Sequence, residues 1–165
     1  MPDLTLAIPG KPIAKKRPRF ARRGKFVTTY NCQETEEGRF MFSIMAQLPE
    51  GWQPIQGPVR LEALFMMPIP KTSRRKAIDM ALGNIRHTKK PDTDNLLKFV
   101  KDCANGIIWK DDSQVYSIYA TKFYAETPGT TITIRWENDA DEPEVSQVQL
   151  SGEKAMVGMG GVVIA

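Results

Sequence analysis

In the segment "KPDTDNLLKFVKDCANGIIWKDDSQV", residues 90–115, two acidic pairs bracket one apolar run: Asp92 and Asp94 before it, Asp111 and Asp112 after it. Grouped carboxylates repel one another unless a cation sits among them, and hard oxygen donors of this kind suit magnesium or manganese. Taken singly, each pair has an ordinary explanation. An Asp ahead of an apolar run caps a helix, and Asp-Asp finishes a turn. The residues between the pairs sharpen the reading. Asp94, Lys98 and Asp102 are spaced i, i+4, i+8, so they share one helix face, opposite Leu96, Val100 and Cys103. Lys98 then projects near Asp94. If a strand leads back beside the start of this helix, Asp112 returns toward Asp92 and Asp94. Three carboxylates then meet around a cation, with Asp111 as an auxiliary ligand or as a support behind the ligands.

The surroundings of these acids are basic. The 165-residue chain has 23 Lys and Arg against 19 Asp and Glu. Residues 137–165 hold six of the acids and only one base, which leaves 22 bases and 13 acids before them, a net +9. A basic body of this kind calls for a polyanionic partner. Two segments concentrate the charge. "PGKPIAKKRPRFARRGK" (9–25) carries eight bases, no acid and three prolines, so it reads as an exposed basic arm without intrachain pairing. Its Lys15, Lys16, Arg17, Arg19, Arg22 and Arg23 are candidate phosphate contacts, as are Lys89 and Lys90 of a second basic segment over residues 70–91. Several other chemistries are excluded. One histidine and two separated cysteines cannot build a usual structural zinc site, and the cysteines read as reduced thiols. No apolar run approaches a membrane span, and no secretory signal is legible at the N-terminus. His87 reads as an exposed loop residue. Trp109, Tyr116 and Tyr119 read as core or strand-face residues rather than base-stacking groups.

The elements that must position these residues follow from periodicity. Leu4, Leu6 and Ile8 alternate as a strand, and a short extended piece falls around Phe26–Thr29. Asn31 and Glu34 suggest a capping box ahead of a helix over about 32–48. Alternation from Val59 to Met67 predicts a second strand, and Ser73 to Leu82 a short helix stopped by Gly83. The helix of the acidic segment ends at Gly106. Strands follow over 113–124 and around Ile132–Trp136, with "TPGT" as a hairpin connection. The expected architecture is one α+β domain over 1–137, a small mixed β-sheet packed with helices. Residues 138–165 are expected to form a mobile acidic and glycine-containing tail.

The acidic segment resembles the signature of RusA-family Holliday junction resolvases. The matching residues are Asp92, Asp94, Asn95, Leu96, Lys98, Asp102, Asn105, Gly106, Trp109, Asp111, Asp112, Gln114 and Val115, joined by a K-x-R-P-R entry at Lys15, Arg17, Pro18 and Arg19. The likeness covers roughly residues 4–136. It implies a homodimeric, magnesium-dependent endodeoxyribonuclease, with Mn2+ as a substitute, that cuts four-way DNA junctions in recombination and repair. Such enzymes act in the cytoplasm of bacterial or phage-infected cells and are common in prophages. The resemblance makes Asp92, Asp94 and Asp112 metal ligands and Lys98 a catalytic or phosphate-positioning group. Two other readings stay open: a metal-dependent nuclease for other branched DNA, and a junction-binding protein without catalysis.

Overall fold

The computed structural model describes residues 1–17 and 19–137, with residues 19–23 and 27–30 described by their backbone alone. The predicted tail at 138–165 lies outside the described residues. The elements run β1 (Asp3–Pro9), β2 (Arg19–Arg23), β3 (Phe26–Tyr30), α1 (Glu34–Met45), β4 (Val59–Pro68), α2 (Arg74–Ala81), α3 (Thr93–Ala104), a 3-10 turn (Asp112–Gln114), β5 (Val115–Ala125) and β6 (Gly129–Trp136). The fold is α+β, as expected.

Four strands form a mixed sheet in the order β1-β6-β4-β5, and β2 and β3 form a separate antiparallel ribbon. β4 is central because every second residue is apolar and buried: Val59, Leu61, Ala63, Phe65 and Met67. Leu6 and Ile8 of β1 and Ile132 and Ile134 of β6 extend the same layer. Helices α1 and α3 are packed against each other and the sheet. Phe40 meets Phe99 edge to face at 5.3 Å, and Leu96, Phe99, Val100, Cys103 and Ala104 bury one side of α3. Burial of a side chain the size of Phe99 contributes roughly 2–3 kcal/mol.

Two expectations change here. "TPGT" does not close a hairpin. β5 pairs with β4 in parallel, whereas β6 pairs with β4 antiparallel from the other side. Residues 126–128 therefore cross the end of β4. Strands two places apart are separated by roughly 10 Å, which a three-residue link can span. The N-terminal signal of α1 is also displaced. The helix begins after Gln33, and Asn31 instead accepts from the Gln33 N–H at 3.0 Å and donates to Glu37 at 2.8 Å. Ser73 and Gly83 bound α2 as predicted, and Gly106 follows α3 with a φ of 75°, a left-handed conformation that suits glycine. Among the described residues no helix is long and apolar enough to cross a membrane.

Candidate active site

Asp92 occupies the N-cap position of α3 and Asp94 its first turn. Both are exposed. Asp92 makes no side-chain capping bond, and neither carboxylate has a hydrogen-bond or ion-pair partner among the described residues. The capping explanation for this pair therefore fails in its specific form, since an N-cap Asp stabilises a helix by accepting from its free N–H groups. What remains is two unneutralised carboxylates on neighbouring backbone positions.

The second acidic pair divides its labour differently. Asp111 is the structural member. Its Oδ1 accepts from the Ser113 N–H at 2.9 Å, while the Gln114 side chain accepts from the Asp111 N–H at 2.7 Å, a complete capping box for the 3-10 turn. The hydrogen bonds from Ser113 hold its carboxyl below the usual carboxylate range. Asp111 is thus engaged through Oδ1 as a cap, the turn role that Asp-Asp also suggested. Gln114 also donates to the carbonyls of Ile55 and Gly57 at 2.9 and 2.8 Å. Trp109 is fully buried just before the turn, and the Lys110 N–H bonds Ile55 at 3.1 Å. These contacts anchor the turn that presents Asp112.

Asp94, Leu97, Lys98, Lys101, Asp102, Asp112 and Ile118 line a single cleft of about 260 Å³. Asp112 pairs with Lys101 at 3.3 Å, and Lys98 pairs with Asp102, also at 3.3 Å, rather than with Asp94. Among the described residues no group of three or more His, Cys, Asp or Glu is close enough to hold a metal ion. The topology supplies the reason. β4 and β5 are parallel and joined through α2 and α3, so α3 runs back against β5. The start of α3 then lies by the end of β5, and Asp112 lies by the start of β5. Lys101, the partner of Asp112, is seven residues beyond Asp94, roughly 10 Å along the helix axis. Within one protomer Asp112 shares the cleft with Asp94 but not with Asp92, so among the described residues the three carboxylates are not gathered into one cluster.

The basic arm also departs from expectation. Lys15 is not a free phosphate contact: its ammonium lies 2.8 Å from Glu37 and 2.9 Å from Asp102, and its backbone N–H bonds the Asn95 carbonyl at 2.9 Å. Burial pulls its pKa down, but the hydrogen bonds to Glu37 and Asp102 outweigh that and leave it above the ordinary value. Lys16 pairs with Glu36 at 3.3 Å but stays half exposed. Gln33, fully buried and unnoticed in the sequence, accepts from the Lys16 N–H and donates to the Ala14 carbonyl and to Glu36. Together these bonds seat the arm across α1 and α3. Arg17 is exposed, and Arg19, Arg22 and Arg23 lie on β2. Lys89 and Lys90 are exposed beside a second cleft of about 320 Å³, shared with Lys11, His87 and Tyr124. His87 is half-buried rather than exposed, its ring 4.6 Å from Tyr124. Burial and then the nearby Lys122 lower its pKa, so it is neutral at pH 7.

The profile of the family described as endodeoxyribonuclease RusA matches residues 9–135. The chain belongs to the RusA endodeoxyribonuclease family. A curated relative, "Uncharacterized protein YqaN" of Bacillus subtilis (strain 168), is 34% identical over 142 residues, which is 82% of this chain and 97% of the relative. RusA-family proteins are Holliday junction endonucleases that depend on divalent metal and bind branched DNA. The exposed, unpartnered Asp92 and Asp94 fit that requirement in donor chemistry, since hard carboxylate oxygens without protein partners are free to ligate a divalent ion.

Proposed function

We propose that this chain is a magnesium-dependent resolvase that makes paired cuts in four-way DNA junctions during recombination and repair, acting as a homodimer in the cytoplasm. The observation that carries the reading is the pair of unpartnered carboxylates, Asp92 and Asp94, set in a body of net charge +9. A protein that only bound DNA would gain nothing from bare carboxylates facing phosphates.

In this reading Asp92 and Asp94 hold the metal from one protomer, and the partner subunit's Asp112 completes the set. Support comes from β5. It is an edge strand of the sheet, and it exposes Tyr116, Ile118 and Tyr119, 59%, 43% and 57% accessible. Exposed edges with large apolar side chains recruit another strand. Antiparallel pairing of two β5 strands about Ile118 and Tyr119 sets Val115 of one protomer opposite Lys122 of the other. The start of one β5, with Asp112, then approaches the start of the other protomer's α3. The two-fold axis supplies two sites, as paired cuts in a symmetric junction require.

The metal, when bound, supplies Lewis acidity and an activated water. Lys98, largely exposed and held among the described residues by Asp102 alone, offsets charge on the phosphate under attack. Arg17, Arg19, Arg22, Arg23, Lys89 and Lys90, with the half-exposed Lys16, hold the DNA backbone. The test is cleavage of four-way, forked and linear duplex DNA with magnesium. Asp94→Asn and Asp112→Asn should each bind junction and cut none. Mixed dimers of the two variants carry one intact shared site and should recover nicking. An active wild type with mixed dimers that stay silent would overturn the shared site; a wild type that cuts no branched DNA would overturn the function.

A further inference from the structure

We propose that Lys122 is the positioning residue of the acidic site, holding the segment that delivers Asp92 and Asp94. The inference rests on the metal-ligand reading above. Lys122 lies near the end of β5, and its ammonium donates to the Pro91 carbonyl at 2.6 Å and the Lys89 carbonyl at 2.8 Å. The Pro91 carbonyl belongs to the peptide unit whose nitrogen is that of Asp92. Fixing this oxygen fixes the plane from which the Asp92 side chain and the first turn of α3 depart.

Among the described residues, these are the only two hydrogen bonds that join residues 86–91 to another part of the chain. The segment otherwise rests on packing, with His87 against Tyr124 and Pro91 along the cleft beside Pro68 and Ile69. A Lys usually offsets a carboxylate. Lys122 has no acidic partner among the described residues and is half-buried, so two of its three donors are committed to backbone carbonyls. Charge-assisted hydrogen bonds of this length are strong and directional. They tie the acidic segment to the sheet. Outer contacts that orient metal ligands change metal affinity by about 10–100-fold when removed.

The experiment measures Mn2+ binding without DNA, by calorimetry, beside melting temperature, junction affinity and cutting, for wild type, Lys122→Met and Lys122→Arg. Lys122→Met should bind Mn2+ about tenfold or more weakly, cut correspondingly slowly at low metal and recover in excess metal. Its junction affinity should stay within about twofold and its melting close to wild type, because no phosphate contact is lost. Lys122→Arg keeps donors for both carbonyls and should restore most of the metal affinity. Unchanged Mn2+ affinity in Lys122→Met overturns the proposal. So does a fall in junction affinity with a shallower salt dependence, which would make Lys122 a DNA contact. If Lys122→Met does not fold, Lys122→Gln, with one amide donor, is compared in the same way. A wild type that binds Mn2+ but cuts nothing removes the nuclease reading and leaves the Mn2+ comparison to decide the role of Lys122.

Discussion

Replacing Lys15 by Met separates a folding role from a DNA-binding role at one position. The Lys15 side chain is 23% accessible, and those of Glu37 and Asp102 are 15% and 30%. Exposed ion pairs contribute about 0–1 kcal/mol, whereas removing one partner of a buried pair costs about 3–5 kcal/mol. This triad lies between those limits. Losing Lys15 does not strand its partners completely, because Glu37 keeps the Asn31 amide at 2.8 Å and Asp102 keeps Lys98 at 3.3 Å. Met also retains most of the aliphatic packing. The expected loss is therefore about 1.5–2 kcal/mol, read as a lower urea midpoint at unchanged slope. A double-mutant cycle with Glu37→Gln should give a coupling of about 1 kcal/mol. The Lys15 charge is already offset within the protein, so the salt dependence of junction binding should not change. Undiminished stability together with a salt slope lower by about 1 would refute the reasoning and return Lys15 to the phosphate contacts.

Arg17→Ala should do the reverse, leaving the urea midpoint within about 0.5 kcal/mol and lowering the junction salt slope by about 1. The Lys15 pKa is raised on folding, so its stabilisation is fully present below the ordinary value of 10.5 and is lost as pH rises through the higher folded value. The urea-midpoint gap between wild type and Lys15→Met should accordingly narrow above that pH. Burial, and then the charge of Glu37, push the Cys103 thiol up to about 12. A thiol reagent at neutral pH should therefore modify Cys32 in the native protein and Cys103 only after unfolding. A methyl group added at Gly57 would lie 2.5 Å from the Glu137 carbonyl oxygen, so Gly57→Ala should lower stability by about 1–3 kcal/mol in thermal or urea unfolding.

Local patterns in the sequence located most of the elements. Alternation placed β1, β4 and β6, and the Ser73 and Gly83 punctuation bounded α2 closely. These signals are short-range, and they failed where the outcome depended on distant partners. β5 and β6 alternate as a hairpin would, yet β4 lies between them, and nothing within "TPGT" records that. Lys15 looked free because its counter-charges, Glu37 and Asp102, are 22 and 87 residues away. Asp92, Asp94 and Asp112 were visible as residue types with a chemical use. How they are placed relative to one another depended on the direction of α3 against β5, a property of the sheet. Lys122 left no local trace, since a lone Lys in a strand resembles any solvent-facing residue. Its role is defined by carbonyls more than thirty positions earlier. Gln33 was missed for the same reason: a buried amide is recognised by what surrounds it.

The pairing of β1 with β6, Asp3 against Arg135, also bears on how the protein is made. The earliest strand of this sheet has one place in it, beside the latest, and β6 is also what joins it to β4. A nascent chain that stops short of Gly129 has no bridge between β1 and the β4–β5 pair. Contacts of such long sequence separation slow folding, because the loop they close must be ordered before it is stabilised. The sheet carrying the acidic segment is therefore completed only after the whole domain has been translated, and unfinished copies are left without an assembled nuclease.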